Sequence, residues 1–351
     1  KDIYSKYQRY QNTLTALSMQ HDIGDESAYV MKRLGVNSLY PDFWVGEYNG
    51  QFFYALSYSK FNAPSKLAYH RTRYFELTET DEPVVETNTT PALSDFFRSV
   101  PVDMQVGPVS FSYNMDLMIA TTIRYGKRAQ ISTLGESRHP FKTALMYSRI
   151  DERHRRFSKY YPVFPDAEED ASYAHHYLIN NGKTLLFSSD KSGGYGGFDL
   201  YVSDWNEATG KWGEPKNLGP SVNTEGDELF PVVVYDNLFF ASNGHPGYGG
   251  YDLYSMLYDR NGVVESSIHH FAAPLNTPYN DFYMLPIDQS TGYVVSDRNI
   301  KGQDDIYFYR VQYVTVPDKG APFFGMSEED AIMGGQILMR GLTETDVKTQ
   351  N

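Results

Sequence analysis

The strongest constraint on the fold is a strand-rich unit that recurs three times in the second half of the chain with a constant step. Asp199 and Asp252 are 53 positions apart, and Asp252 and Asp305 are again 53 apart. A second marker keeps this register, because Asn223-Thr224 recurs as Asn276-Thr277. Two independent markers in one register indicate a structural repeat. The positions that recur in these units are Asp190, Asp199, Tyr201, Asn223, Asn243, Asp252, Tyr254, Asn276, Asp297, Asp305 and Tyr307.

The composition of each unit predicts the fold class. Apolar and aromatic runs such as Leu229–Tyr235 and Phe282–Ile287 are bounded by Gly, Asn, Asp and Pro, which is typical of strands joined by turns. No long stripe of helical spacing lies between Tyr201 and Phe230, which disfavours a helical solenoid. These two runs are the predicted inner strands, and the outer strand is predicted in the Trp212–Pro215 region. A unit of this length holds four short strands, and four-stranded sheets repeated around an axis form a β-propeller. We therefore predict an all-β, five-bladed β-propeller of four-stranded blades, with six blades as the alternative.

The first half of the chain follows the repeat less closely. In the first blade we predict strands at Phe52–Ser57 and Leu67–Tyr69, with Tyr69 in the position that Tyr201 has later. The step from Tyr69 to Tyr147 is 78 positions, which exceeds the repeat by about half a blade. We assign this surplus to Thr78–Phe97 and Tyr125–Lys142, which are polar and rich in turn residues.

The two ends of the propeller are predicted to meet in one sheet. The segment 31–38 matches 216–224, since both run from an outer strand through Leu-Gly to an Asn marker. The last blade, which ends near Val311, has no outer strand of its own. We therefore predict that Ala28–Arg33 supplies it and hides the edge of that sheet. The predicted boundaries are 1–27 for an N-terminal linker or helix, 28–313 for the propeller, 314–335 for a linker, and 336–351 for the truncated start of a following β-domain.

Composition excludes several classes of function. The net charge of −13 disfavours a nucleic-acid partner, because neutralising phosphates needs basic patches. The absence of Cys excludes disulfides, thiolate metal sites and cysteine nucleophiles. No run of about 18 apolar residues is present, so we predict no membrane span.

A known family shares these motifs. Leu186-Phe-Ser-Ser-Asp190, the Gly-Gly-Tyr-Gly-Gly-x-Asp-Leu-Tyr stretch and Trp-Gly-x-Pro-x-Asn-Leu-Gly resemble the WD-like propeller repeats of Bacteroidota cell-envelope proteins. The resemblance is specific over 160–313, fair over 28–75 and poor over 78–150. In that family the propeller follows tetratricopeptide repeats and precedes a regulatory-like β-domain, whose start Gly335–Gly341 resembles, and an OmpA-like peptidoglycan-binding domain.

The resemblance carries expectations about location and partners. Its nearest members are periplasmic, outer-membrane-associated lipoproteins of the type IX secretion and gliding machinery. It implies partners among other envelope or secretion-system proteins. Peptidoglycan would be bound only through a separate domain outside these 351 residues.

Several side chains are candidates for chemistry. The recurring acids on Gly-rich loops could ligate calcium through oxygen, or they could accept backbone hydrogen bonds and fix their own turns. Because they recur in each regular unit, the structural role is favoured. The adjacent pairs His175-His176 and His269-His270 are poor chelates, since neighbours on a strand point to opposite faces. The acidic cluster Asp166, Glu168, Glu169 and Asp170 precedes a strand and is typical of a solvated loop.

A glycosidase needs two carboxylates at a defined separation. Asp42, Asp227 and Asp281 lie in equivalent loops before inner strands, so they could meet at one mouth of a channel. Regular repeats make this the less favoured alternative, together with carbohydrate binding.

We therefore predict a non-enzymatic scaffold for protein–protein interaction, with no catalytic, cofactor-binding or metal-binding residues. The segments that break the repeat, Thr78–Phe97 and Tyr125–His139, are the expected contact surfaces, because irregular loops on a rigid frame carry binding.

Overall fold

The structure, a computed structural model, is all-β in the part of the chain that it describes, apart from one turn of 3-10 helix at Asn180–Gly182. Within that part the strands form five antiparallel sheets. The described residues are 29–35, 37, 42–48, 51–56, 71–76, 84–86, 105–114, 116–125, 141–151, 156–157, 160–167, 171–259, 262–265, 267–288, 290–300 and 303–311.

The described residues divide into two compact units. The first unit takes in those within 1–35, 224–226 and 232–351, and the second takes in those within 36–223 and 227–231. Three sheets belong to the second unit, and two belong mainly to the first.

Each sheet of the second unit is built from strands that are consecutive in sequence. The first sheet contains β2 (Asp42–Tyr48), β3 (Gln51–Leu56), β4 (Arg71–Glu76) and β5 (Val84–Glu86). The second contains β6 (Gln105–Phe111), β7 (Leu117–Tyr125), β8 (Phe141–Asp151), β9 (Arg156–Phe157) and β10 (Tyr161–Pro162). The third contains β11 (Tyr173–Ile179), β12 (Thr184–Ser189), β13 (Asp199–Asn206), β14 (Lys211–Trp212) and β15 (Lys216–Asn217).

The two remaining sheets follow the same plan. The fourth sheet contains β16 (Glu228–Val234), whose first four residues group with the second unit, β17 (Asn237–Ser242), β18 (Asp252–Asp259), β19 (Gly262–Val263) and β20 (His269–His270). The fifth contains β21 (Asp281–Pro286), β22 (Thr291–Ile300), β23 (Gln303–Val311) and, from the other end of the chain, β1 (Tyr29–Arg33).

Four sheets are thus built from strands that are consecutive in sequence, which is how the blades of a propeller are built. The predicted all-β class is confirmed, and so is a propeller-like arrangement of antiparallel blades. The predicted inner strands of the fourth and fifth sheets each begin and end one residue earlier, at β16 and β21.

Other strand predictions need correction. The outer strand predicted around Trp212–Pro215 is divided into β14 and β15, which both pair with β13, because Gly213 and Pro215 interrupt the ladder. In the first sheet the third strand is β4, whereas the predicted Leu67–Tyr69 lies outside the described residues. The segment Thr78–Phe97 is not all surplus, because β5 within it pairs with β4 as an outer strand.

The second strand of a sheet lies at the centre of the core. Every residue of β12 and of β17 is buried, and Leu185, Leu186 and Phe187 have no exposed surface. A strand that is buried on both faces has a continuous apolar run rather than an alternating pattern, here Leu185–Phe187 and Leu238–Ala241. Burial of each such side chain contributes about 1.5–3 kcal/mol, so these strands anchor their sheets.

The first strand carries a β-bulge in four sheets. The register shifts lie between Trp44 and Gly46, Val106 and Val109, Ala174 and Tyr177, and Asp281 and Tyr283. A bulge bends its strand and increases the local twist. The repeat spacing did not reveal this feature, because the 53-residue step is kept across the regular units that contain such a bulge.

The N-terminal strand lies where the sequence predicted it. β1 pairs antiparallel with β23, with Tyr29 opposite Val311 and Arg33 opposite Tyr307. The side chain of Arg33 makes two hydrogen bonds to Asp305, from Nε to Oδ2 and from Nη2 to Oδ1, both at 2.7 Å. Asp305 is fully buried, so this bidentate pair compensates a carboxylate that has lost its water.

We expect the substitution Arg33→Ala to lower the free energy of unfolding by about 3 kcal/mol, because it leaves the buried Asp305 carboxylate without its cation. Chemical denaturation measures this difference. Val30→Ala, on the same strand and exposed, is the matched control and should cost less than about 1 kcal/mol. Equal losses in the two variants would show that the ion pair does not hold β1.

Candidate functional site

The recurring aspartates close the Gly-rich loops. Asp199 is buried at the start of β13, and its carboxylate accepts hydrogen bonds from the backbone N–H groups of Tyr195 (2.6 Å) and Gly196 (3.2 Å). It also accepts a hydrogen bond from Asn217 Nδ2 at 2.7 Å, on the outer strand. The loop is thereby folded over the carboxylate.

The next repeat has the same arrangement. Asp252 accepts hydrogen bonds from the N–H groups of Tyr248 and Gly249, both at 3.0 Å, and its Oδ1 lies 3.2 Å from His270 Nε2. A Cβ added at Gly247 would lie 2.3 Å from Asp252 Oδ2, so only glycine allows the loop to approach this closely.

Each of these acids therefore has a donor on the outer strand of its sheet. Asn217 and His270 each follow their aspartate by 18 residues, whereas Arg33 reaches Asp305 from the other end of the chain. The donors face the recurring tyrosines, in the pairs Tyr201 with Asn217, Tyr254 with His270 and Tyr307 with Arg33. Sequence reasoning missed these donors, although Asn217 and His270 keep the 53-residue step.

The recurring tyrosines pack inside their own sheets. The ring of Tyr201 stacks on Phe187 at 5.8 Å, and the ring of Tyr254 stacks on Phe240 at 5.7 Å. The guanidinium of Arg298 lies 4.9 Å from the ring centre of Tyr307. These rings are buried, so they contribute to the core rather than to a binding surface.

The recurring asparagines act as a short piece of strand. Asn223 Oδ1 accepts a hydrogen bond from Leu200 N at 2.7 Å, and its Nδ2 donates to Leu200 O at 3.0 Å. Asn276 does the same for Leu253, at 2.7 and 2.9 Å, and also donates to Phe271 O at 2.8 Å. Both asparagines are buried, so each amide supplies hydrogen bonds to backbone groups whose burial without a partner would destabilise the fold.

The third recurring polar position anchors the segment before an inner strand. Asp190 accepts a hydrogen bond from Ser172 N, and Asp297 accepts one from Asn280 N and another from Asn280 Nδ2, both at 2.8 Å. In the remaining unit, Asn243 lies directly over Gly226, with no room for a Cβ at that glycine. These contacts link successive parts of the repeat.

Two of the three carboxylates proposed for a glycosidase are engaged by the protein. Asp281 is fully buried, and its Oδ1 lies 2.6 Å from Arg298 Nη2. Its Oδ2 accepts hydrogen bonds from the N–H and the hydroxyl of Thr277, both at 2.7 Å. Burial raises the pKa of Asp281, while Arg298 acts in the opposite direction. The Arg298 partner was missed, although the sequence places an arginine directly after the recurring Asp297.

The other two carboxylates differ from Asp281. Asp227 is half-buried, and its Oδ1 accepts a hydrogen bond from Phe198 N at 2.9 Å. Asp42 opens β2, but its side chain lies outside the described residues.

The first histidine pair occupies a bulge. His176 is buried, with Nε2 2.8 Å from Ile119 O and Nδ1 3.0 Å from the hydroxyl of Thr121. The His175 backbone has a positive φ of 48°, and its ring lies 3.9 Å from that of Phe230. Burial lowers the pKa of His175 to about 3 and that of His176 to about 4. Both are therefore neutral at pH 7.

The second pair, on β20, has different partners. Burial lowers the pKa of His269 to about 4, and its ring packs edge-on against Phe271 at 5.0 Å. His270 lies beside Asp252 and against the Tyr248 ring. Across the described residues, no group of three or more His, Asp or Glu side chains is placed to share a metal ion.

The acidic cluster and the two predicted contact segments lie largely outside the described residues. Asp166 is exposed, whereas Glu168, Glu169 and Asp170 lie outside the described residues. Of the two predicted contact segments, the structure describes only β5 within Thr78–Phe97 and the end of β7 at Tyr125. In the described part of the chain, we find no helix long and apolar enough to span a membrane.

One surface was not predicted from the sequence. On the second and third sheets, the rings of Tyr161 and Tyr147 lie 5.5 Å apart, and those of Tyr147 and Trp205 lie 6.0 Å apart. The Arg149 guanidinium lies 4.8 Å from the centre of the Trp205 ring and reaches Asp116 at 3.9 Å. We call these five side chains the Tyr161–Trp205 surface. Its members are scattered along the sequence, so the fold and not a sequence spacing brings them together.

Several solved structures are distantly similar to this chain. No family model and no curated protein matches the chain. Among solved structures, a mutant of a Bombyx mori GH32 β-fructofuranosidase in complex with sucrose is 9% identical with a TM-score of 0.45, over 89% of this chain and 70% of that one. A prolyl endopeptidase (12% identical, TM-score 0.36) and a Mycobacterium tuberculosis puromycin-hydrolyzing peptidase (13%, 0.38) align with 71% and 73% of this chain. The chain spans 29% and 35% of those peptidases, and likenesses this weak carry no argument about fold or activity.

We expect Asn276→Ala to lower the free energy of unfolding by about 3 kcal/mol. The substitution removes the side chain that hydrogen-bonds the buried Leu253 N–H and the Phe271 carbonyl oxygen. Asn206→Ala is the control, since Asn206 caps an exposed turn and should cost about 1 kcal/mol or less. Urea titration of both variants measures the difference, and comparable losses would contradict the structural role of Asn276.

A second expectation concerns pH. The pKa values of His175 and His176 in the folded chain lie below the ordinary 6.5, so below pH 6.5 the unfolded chain binds more protons. Stability should therefore fall as the pH falls from 6.5 towards 4, by about 1.4 kcal/mol per pH unit for each such histidine. In His176→Gln, which cannot titrate, the slope should be smaller by about one proton. An unchanged slope would show that His176 titrates normally.

Proposed function

We propose that this chain is a non-enzymatic scaffold that binds other proteins, built as a five-bladed propeller whose ring is latched by Tyr29–Arg33. The pairing of β1 with β23 and the Arg33–Asp305 ion pair support the latch. A closed ring leaves only short, protected sheet edges, and such a frame can present irregular loops without deforming.

The main support for a non-enzymatic role is that the carboxylate of Asp281 is buried and fully hydrogen-bonded. A catalytic carboxylate must reach substrate, yet both oxygens of Asp281 are buried and bonded to Arg298 and Thr277. The recurring acids Asp199, Asp252 and Asp305 are likewise buried and bonded within their own sheets. The polar positions that recur most regularly therefore serve the fold.

The proposed setting comes from the resemblance of the repeats to those of Bacteroidota envelope proteins. In this proposal the chain lies in the periplasm, is associated with the outer membrane and contacts secretion-system or other envelope proteins. A net charge of −13 would favour partners with basic surfaces and would increase the rate of encounter with them.

The test uses a segment that breaks the repeat. Tyr125 pairs with Phe141, so residues 127–139 can be replaced by a short Gly-Asn-Gly turn without removing a described strand. We expect photo-crosslinking in cells that make the protein to yield an envelope partner with the parent chain and to lose it with this variant. Thermal melting of the variant should match the parent.

The matched control is a variant with residues 207–210, a turn between β13 and β14, replaced by Gly and Ser. It should keep the partner. Recovery of the same partner from both variants would place the contact elsewhere. Hydrolysis of a glycan by the parent chain that is abolished by Asp227→Asn would contradict the non-enzymatic proposal outright.

A further inference from the structure

The second sheet departs from the repeat in a specific way. At the position of Asp199 it has Leu145, and opposite Tyr147 on the outer strand it has Tyr161 in place of a donor. The buried acid and its donor are thus replaced by a leucine and by two tyrosines in contact. Features that recur serve the fold, so this departure from the regular units suggests another use.

The exception lies on an accessible surface. Tyr161 is 47% exposed, and the side chains of Arg149 and Asp116 are 44% and 51% exposed. Tyr147 and Trp205 are partly exposed beside them. Continuous contacts join the five side chains, from Tyr161 through the two other rings to Arg149 and Asp116. The result is a patch of three aromatic rings. At one end of it, the Arg149 guanidinium can donate hydrogen bonds and the Asp116 carboxylate can accept them.

The charges of this patch are balanced. Arg149 lies against Asp116, and the neighbouring Lys183 pairs with Glu207 at 3.1 Å. Lys183 is adjacent because its carbonyl accepts a hydrogen bond from Trp205 N. In a chain of net charge −13, a locally neutral surface offers no attraction to an anionic polymer and little to a strongly basic one. Its chemistry complements an uncharged ligand.

The size of the patch also limits the occupant. A stable protein interface buries about 800 Å² on each partner and involves roughly 20–30 residues a side. Five side chains form a much smaller area, which suits a ligand of a few rings. Sugar rings have an apolar C–H face that packs on an aromatic ring, and their hydroxyl groups can accept from Arg149 and donate to Asp116.

We propose that the Tyr161–Trp205 surface binds a neutral oligosaccharide without cleaving it. The sugar rings lie on Tyr161 and its aromatic neighbours, and Arg149 with Asp116 fixes their orientation through hydroxyl groups. This site does not depend on the protein-binding role proposed above, since it uses none of residues 127–139.

The test is titration of the whole chain with neutral hexasaccharides of β-1,4-glucan, β-1,4-xylan, β-1,4-mannan and α-1,4-glucan, followed by calorimetry and tryptophan fluorescence. At least one should bind, and Tyr161→Ala should weaken that binding about tenfold or more. Tyr235→Ala, which removes a similarly exposed ring (52%) from the turn between β16 and β17, should leave it unchanged.

Arg149→Ala provides a second variant if Tyr161→Ala fails to fold, and it should also weaken binding. The proposal is overturned if none of the four hexasaccharides binds, or if they bind equally to Tyr161→Ala and the parent chain. Preferential binding of an anionic oligogalacturonate overturns it as well. Loss of the crosslinked protein partner in Tyr161→Ala, with no sugar binding, would make this surface a protein contact instead. Retained partner capture without sugar binding would refute this proposal alone.

Discussion

The structure depends on carboxylates that are buried where the third strand of a sheet begins. An ionised carboxylate removed from water must be paired or richly hydrogen-bonded. Asp199, Asp252 and Asp305 achieve this with donors from the preceding loop or from the outer strand of their own sheet. Because the donors are separated along the chain, satisfying one carboxylate fixes the loop and the last strand together. This explains why the Gly-rich loop and the aspartate recur as one motif.

The same requirement links the chain ends in the first unit. Among the described residues, the outer strand of the fifth sheet is β1, and it supplies Arg33 as the donor for Asp305. Arginine suits this position, since its planar fork makes two bonds to one carboxylate, whereas Asn217 and His270 each make one. At Leu145 the acid is absent, so the outer strand needs no hydrogen-bond donor there. It carries Tyr161 instead, which forms part of an exposed aromatic surface.

The regular part of the fold was predictable because a constant step in the sequence identifies the side chains that stabilise each repeat. The step identified Asp199, Asn223 and their equivalents, and the match between 31–38 and 216–224 placed β1. Pairs that join distant positions were not predictable. Arg298 with Asp281 and the Tyr161–Trp205 surface depend on which strands become neighbours, and the bulges of the first strands leave the period unchanged. Function was still less accessible, because the recurring polar residues stabilise the sheets.

A double-mutant cycle on Asp199 and Asn217 tests the central claim most directly. The pair lies within one sheet, and each residue is 18 positions from the other. The free energies of unfolding of Asp199→Ala, Asn217→Ala and the double variant give their coupling. We predict a coupling of about 1–3 kcal/mol, because a charge-assisted hydrogen bond to a buried carboxylate is lost only once. Additive losses, with no coupling, would contradict the account.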